Sequence, residues 1–314
     1  PGLIPEICDG EDQDCDGLID EGCALLAAAP DAARSWPTLC APDHLLWTEG
    51  GRVWSLHTEP LGEPVALSAA AFEPATAPSC HGPNAAWIHA EPDTCQAPDD
   101  GPWRCTGGHL IVATEASTYD LTGRASPGAP VVGPDDLTWH DANGAPLLNS
   151  HIFDTPGRAA LFEDADLSDP TPWVDQQLAA RQWFETGPRI SLRTDDGTAQ
   201  LLDAGDDAVG PPTLGGRWLI WSVGDGAALW ATDLSDDEPL GFQLTSEPGP
   251  HRRPQLLGDT VVWSAAGRLR AFDLISGTQR TLAAPLESPA HFAVGHGQIV
   301  WFDAQGALRR ERLP

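Results

Sequence analysis

The chain reads as all-β, a β-propeller of seven four-stranded blades, on three observations. The first is a repeat centred on tryptophan. It runs Leu45-Leu46-Trp47-Thr48-Glu49, Ala85-Ala86-Trp87-Ile88-His89, Leu137-Thr138-Trp139-His140-Asp141, Arg181-Gln182-Trp183-Phe184-Glu185, Leu219-Ile220-Trp221-Ser222-Val223, Val261-Val262-Trp263-Ser264-Ala265 and Ile299-Val300-Trp301-Phe302-Asp303. The tryptophans are spaced by 40, 52, 44, 38, 42 and 38 residues. Short β-type runs at such a period mark a propeller. The second observation is the order of strands and turns inside one repeat. The third is a final repeat too short for four strands, which asks for a strand from the other end of the chain. Six blades is the alternative, because the fourth repeat is degenerate.

In chain order, the first element is an acidic loop. Residues 9–21 carry Asp9, Glu11, Asp12, Asp14, Asp16, Asp20 and Glu21 around Cys15 and Gly17. Alternating aspartates turn oxygens inward, the glycine permits a sharp turn, and later carboxylates complete the shell of a hard cation. The expected ligands are Asp9, Asp12, Asp14, Asp16, Leu18 through its carbonyl, Asp20 and Glu21, holding one or two Ca²⁺. The spacing follows the EF-hand plan as far as Asp20. Cys23 then stands where an EF-hand needs a bidentate Glu, and Pro5 and Gly10 leave no room for a preceding helix. The pattern from Glu6 to about Cys23 resembles the MopE-type metal-binding repeat of secreted bacterial proteins, with Gln13 where that family usually has Asn. The resemblance implies an extracellular metal-binding module. Residues 1–23 are therefore set apart from a propeller at 24–314.

Residues 24–29 (Ala-Leu-Leu-Ala-Ala-Ala) look like the outer strand at 281–284, so they are expected to complete the last blade and lock the ring. Closure removes edges that would invite aggregation. The clearest blade spans 253–283. Residues 254–257 form an inner strand, Gly258-Asp259 a hairpin turn, 260–264 the tryptophan strand and Ala266-Gly267 a second turn. Residues 268–274 alternate polar and apolar, as a half-buried strand should, and 278–282 form the outer strand. Residues 215–245 repeat this order, and 291–314 hold only three strands. The blade grammar resembles the TolB-like and YncE-like propellers of exported bacterial proteins, which is a statement about architecture.

Composition narrows the function. Net charge is −29, and every one of the 17 Lys-plus-Arg residues is Arg. Such a surface repels phosphate backbones and anionic lipids, which excludes nucleic acid as a partner. No run of eighteen apolar residues is present, so no membrane-spanning helix is expected. The chain begins at Pro1, which reads as a mature, processed protein whose targeting sequence has been removed. Seven cysteines at irregular spacing suit an oxidising, extracellular or cell-surface setting. The expected pairs are Cys8 with Cys15, Cys95 with Cys105, and Cys40 with Cys80. The last two each stand seven residues before a repeat tryptophan. Cys23 is left over.

The repeat tryptophans are expected to pack between blades as core. Trp103, inside the Cys95–Cys105 insertion, is the best surface aromatic. No nucleophile elbow, phosphate loop, dinucleotide fingerprint or zinc-protease motif is present. One constellation bears on catalysis. Two residues past the repeat tryptophans stand Glu49, His89, Asp141, Glu185 and Asp303, which could form a ring for acid–base work or a cation. Ordinary polar residues at strand ends are the simpler reading. The expectation is a calcium-binding, non-catalytic module for protein or polysaccharide partners at the cell surface, with self-assembly as one form of partnership. The alternative is an extracellular hydrolase or lyase using that ring.

Overall fold

The computed structural model describes residues 23–27, 34–68, 78–90, 95–96, 104–105, 108–114, 118–121, 130–133, 136–140, 146–150, 159–160, 167–168, 171, 177–184, 187–194, 199–202, 210–224, 226–236, 240–247, 249–283, 292–303 and 305–313. Every regular element among them is a strand. None is a helix long and apolar enough to cross a membrane.

Strand β1 (Cys23–Ala27) comes first. Sheet one is β2 (Arg34–Ala41), β3 (His44–Glu49), β4 (Arg52–His57) and β5 (Val65–Ala66). Sheet two opens with β6 (Ser79–His81) and β7 (Asn84–Ala90). It then carries a separate two-stranded ribbon, β8 (Cys95–Gln96) and β9 (Arg104–Cys105), before β10 (Gly108–Ala113) and β11 (Thr118–Leu121) complete it. Sheet three is β12 (Val131–Val132), β13 (Asp136–His140), β14 (Pro146–Ser150) and β15 (Ala159–Ala160). Sheet four is β16 (Leu167–Ser168), β17 (Gln177–Phe184), β18 (Gly187–Thr194) and β19 (Ala199–Leu202). Sheet five is β20 (Thr213–Gly215), β21 (Trp218–Val223), β22 (Ala228–Asp233) and β23 (Phe242–Gln243). Sheet six is β24 (His251–Leu257), β25 (Thr260–Ala265), β26 (Arg268–Asp273) and β27 (Thr278–Ala283). Sheet seven is β28 (Phe292–Gly295), β29 (Gln298–Phe302) and β30 (Leu308–Arg312), with β1 as its outer strand.

Each sheet is an antiparallel meander, and turn chemistry sets its register. Gly50-Gly51 and Ala266-Gly267 both hold positive φ at both residues. That is the type I′ pattern whose twist matches the flanking strands. Asp273 ends β26 and nucleates the next turn, its Oδ1 accepting the N–H groups of Ile275 and Ser276. Asp233 does the same at the end of β22, accepting from Ser235 N–H and Oγ–H.

The core lies between sheets. Trp47, Trp87, Trp221, Trp263 and Trp301 are all at most 1% exposed. A tryptophan burying roughly 200 Å² contributes about 5 kcal/mol before its entropy cost. Trp87 packs with Cys40, Leu46, Val53 and Cys80, joining sheets one and two. Trp263 packs with Ile220, Leu229 and Leu244, joining five and six. Trp301 packs with Val262, Leu269 and Leu282, joining six and seven. Trp47 packs with Ala293, Val300, Phe302 and Leu308, joining seven back to one.

The first strands of the sheets meet in succession. Strand β2 contacts β6, β6 contacts β12, β20 contacts β24, β24 contacts β28, and β28 contacts β2. Polar side chains join them. Thr38 Oγ1 donates to the Pro78 carbonyl at 2.9 Å, and Val132 N–H donates to Ser79 Oγ at 2.9 Å. Thr213 Oγ1 donates to the Pro254 carbonyl at 2.7 Å. Gln255 donates to the Phe292 carbonyl and accepts from Val294 N–H. All four side chains follow a proline: Pro37, Pro78, Pro212 and Pro254. The proline offers no N–H of its own, and its carbonyl is free to accept from the neighbouring sheet.

The closing strand was expected at 24–29. It is observed at Cys23–Ala27, antiparallel to β30, with Cys23 opposite Glu311 and Leu25 opposite Arg309. Cys23 therefore belongs to the strand rather than to the acidic arm.

Candidate functional site

The expected ligands Asp9, Asp12, Asp14, Asp16, Leu18, Asp20 and Glu21 lie outside the described residues, as do Cys8 and Cys15. What the structure describes is where that segment attaches. Strand β1 begins two residues after Glu21, on the outer edge of sheet seven. Sheets seven and one meet at this place. Gln298 donates its amide N–H to the Pro42 carbonyl at 2.6 Å. Arg310 pairs with Glu59 at 3.3 Å and also reaches Thr58 Oγ1, while Arg312 pairs with the same Glu59. The arginines of 309–312 are thus occupied by internal carboxylates, with Arg309 held by Asp303 at 2.9 Å.

Glu311 shares this strand and is half-buried. Burial pushes its carboxyl up to about 7, and the Arg280 guanidinium partly offsets that rise. His44, at the junction of sheets one and two, is held below its ordinary value. Burial is the main cause and the neighbouring His57 adds to it. The two rings stack with centroids 4.5 Å apart.

Of the five residues that follow the tryptophans, Asp141 and Glu185 lie outside the described residues. The other three have different surroundings. Glu49 Oε2 accepts the Trp47 indole N–H at 3.0 Å, and its carbonyl accepts that of Trp54 at 3.2 Å. A residue two places along a strand lies on the same face, so an acceptor there reaches the indole. Asp303 is 8% exposed. It builds a turn, accepting from Gln305 and Ala307 N–H groups and from Arg309 Nε. His89 meets Trp87 edge-on at 6.3 Å. Where the position holds Val223, the Trp221 indole N–H has no partner among the described residues. Where it holds Ala265, His251 supplies the acceptor instead, with Nδ1 3.1 Å from Trp263 Nε1. The position that suggested a ring thus serves a buried indole in sheet one and a turn in sheet seven, rather than a shared centre. Among the described residues, no three His, Cys, Asp or Glu side chains gather as a metal centre would require.

Cys40 and Cys80 form a disulfide across sheets one and two, with Cα atoms 4.9 Å apart. Cys95 stands opposite Cys105 in the ribbon's register. Trp103 lies outside the described residues. Sequence reasoning missed the inter-sheet polar clasps and the Glu59 pairing. The signal for the clasps was present as Pro-Thr, Pro-Ser or Pro-Gln ahead of four repeats. Glu59 carried no local signal, because its partners are some 250 residues away in sequence.

No family model matches the chain, and no curated protein matches it. Solved structures do resemble it. The WD40 repeats of RRP9 match with a TM-score of 0.64 at 10% identity, over 94% of this chain and 98% of that one. A catalytically inactive virginiamycin B lyase from Staphylococcus aureus, solved with quinupristin, matches with a TM-score of 0.62 at 12% identity, over 93% and 100%. The computationally designed protein Ika8 matches with a TM-score of 0.60 at 11% identity, over 92% and 99%. At such identities the likeness speaks to fold alone: the chain has an all-β fold of the propeller type.

Proposed function

We propose that this chain is a seven-bladed, non-catalytic propeller that binds a protein or polysaccharide at the cell surface, with an N-terminal loop that holds Ca²⁺ to lock the ring. The observation that carries the reading is the pairing of β1 with β30. The strand that follows the acidic loop is the outer strand of the sheet formed by the chain's last residues. Among the described residues, six of the seven junctions between successive sheets carry a buried apolar cluster, which supports a ring of seven. An ion bound by Asp12, Asp14, Asp16 and Asp20 would order the chain immediately before the closing strand. It would stabilise the ring by mass action, since only the folded loop binds it. The resemblance to MopE-type repeats and the disulfide between sheets one and two fit an oxidising, calcium-rich location.

The catalytic alternative draws less support. Glu49 already serves an indole and Asp303 a turn and an arginine, so neither is presented as an open acid or base. The fold resembles that of a lyase, but it also resembles that of WD40 repeats, and fold alone selects neither.

Calorimetric titration of the metal-stripped full chain with Ca²⁺ tests the reading, alongside the double variant Asp14→Ala, Asp16→Ala. Saturable binding that disappears in the variant, with a lower melting temperature but retained β-sheet circular dichroism, is expected. Equal Ca²⁺ affinity in the two proteins would remove the loop from the account.

A further inference from the structure

We infer that His89 and His109 form a second, independent metal site, for a divalent transition ion rather than a hard cation. The two residues are partners in the register of β7 and β10. Directly opposed residues of an antiparallel pair put their side chains on one face, with Cβ atoms about 4.5–5.5 Å apart. Two imidazoles so placed can both reach one ion at a metal–nitrogen distance of roughly 2.0–2.1 Å. Both residues are half-buried, on the two middle strands of sheet two, so part of each stays accessible from solvent.

The position is unusual within the fold. In sheet one the equivalent pair is Glu49 with Arg52, closed directly by Gly50-Gly51. Sheet two instead extends the same hairpin into the ribbon of β8 and β9, and the histidine pair stands at the base of that extension. A second cross-strand pair is His44 with His57. Its rings stack nearly parallel, 12° apart, and His44 Nε2 lies 2.8 Å from Ser55 Oγ. Parallel rings do not aim their lone pairs at one point, so this pair serves as an internal control.

Imidazole prefers Cu²⁺, Ni²⁺ and Zn²⁺, whereas carboxylates prefer Ca²⁺ and Mg²⁺. The His89–His109 site therefore does not compete with the acidic loop. Two protein ligands leave the remaining positions of the ion to water or to a ligand group brought by a partner.

The test uses the full chain saturated with Ca²⁺, with Cu²⁺ as the probe, because Cu²⁺ binds most tightly in the divalent series. Electron paramagnetic resonance counts the nitrogens, and calorimetry measures affinity. The expected result is one saturable site with two imidazole nitrogens. His109→Gln should lose one nitrogen and weaken binding by about tenfold or more, as even losses around a metal's ligands do. His89→Gln should do the same, and His57→Ala should change neither readout. Oxygen-only ligation would overturn the proposal, as would a His109→Gln variant with undiminished affinity or an equal loss in His57→Ala. The Ca²⁺ experiment above stands or falls separately, since its variants leave both histidines in place.

Discussion

A buried indole N–H needs an acceptor, and Trp47 and Trp263 find one in different ways, whereas those of Trp87 and Trp221 have none among the described residues. Trp47 uses Glu49, two residues on along its own strand, while Trp263 uses His251 from the adjacent first strand. His251 can do this because its other ring nitrogen, Nε2, lies 3.0 Å from the Glu247 carbonyl. A proton on Nε2 donates there and leaves Nδ1 as the acceptor. Charge at the seam is settled at the same scale. Glu311 has its carboxyl raised from 4.5 to about 7 by burial. The folded chain therefore holds a proton that the unfolded chain releases between those values. This contribution to stability is complete below pH 4.5 and is lost as pH rises through about 7. His44 acts in the opposite sense, since its lowered value removes stability as pH falls below 6.5. Glu311→Gln leaves His44 untouched, so the difference between variant and parent isolates the carboxylate. Urea midpoints are expected to show the variant gaining on the parent from pH 5 to pH 8. A constant difference would remove Glu311 from the pH dependence.

At the scale of elements, residues 254–257, 260–264, 268–274 and 278–282 were legible as strands because period-two alternation and glycine turns are local signals. The observed β24 begins earlier, at His251, and contains a bulge between Arg252 and Gln255. Arg253 lies inside that bulge at a φ of 51°, directly before Pro254. Nothing in the alternation of residues marks such a bulge. It arises where β24 meets a neighbouring sheet: Gly226 approaches so closely that a Cβ there would sit 2.7 Å from the His251 carbonyl. The join between sheets one and two is covalent as well as polar. Cys40 and Cys80 are 40 residues apart. A cross-link of that span stabilises by about 2–4 kcal/mol through the unfolded chain. The double variant Cys40→Ala, Cys80→Ala is expected to unfold at lower denaturant with an unchanged strand content. Chemical denaturation of the two proteins, both oxidised, measures it. An identical midpoint would mean that Thr38 and the apolar cluster hold this junction alone.

For the molecule as a whole, the junction that matters is the one between the last sheet and the first. Here β1 lies on β30, Gln298 reaches Pro42, and Glu59 gathers Arg310 and Arg312. The exposed ion pairs are worth little individually, so most of the closure must come from the apolar cluster around Trp47 and from the ladder of β1. Adjacent residues of a strand direct their N–H groups alternately, so one of Ala24 and Leu25 donates toward β30. Ala24→Pro with Leu25→Pro removes that donor whichever it is. The variant is expected to melt at lower temperature and, with the β30 edge bare, to associate as concentration rises. Thermal melts and light scattering report both; a variant as stable and monodisperse as its parent would show that β1 is dispensable. The seven tryptophan strands and the short last repeat were readable in the chain, because each rests on neighbours within a few residues. The partners of Glu59, the proline clasps, the place of Cys23 in the closing strand and the facing of His89 with His109 were not. They bring together groups from separate strands or separate repeats, and only the packing of sheet against sheet and strand against strand puts those groups within reach of one another.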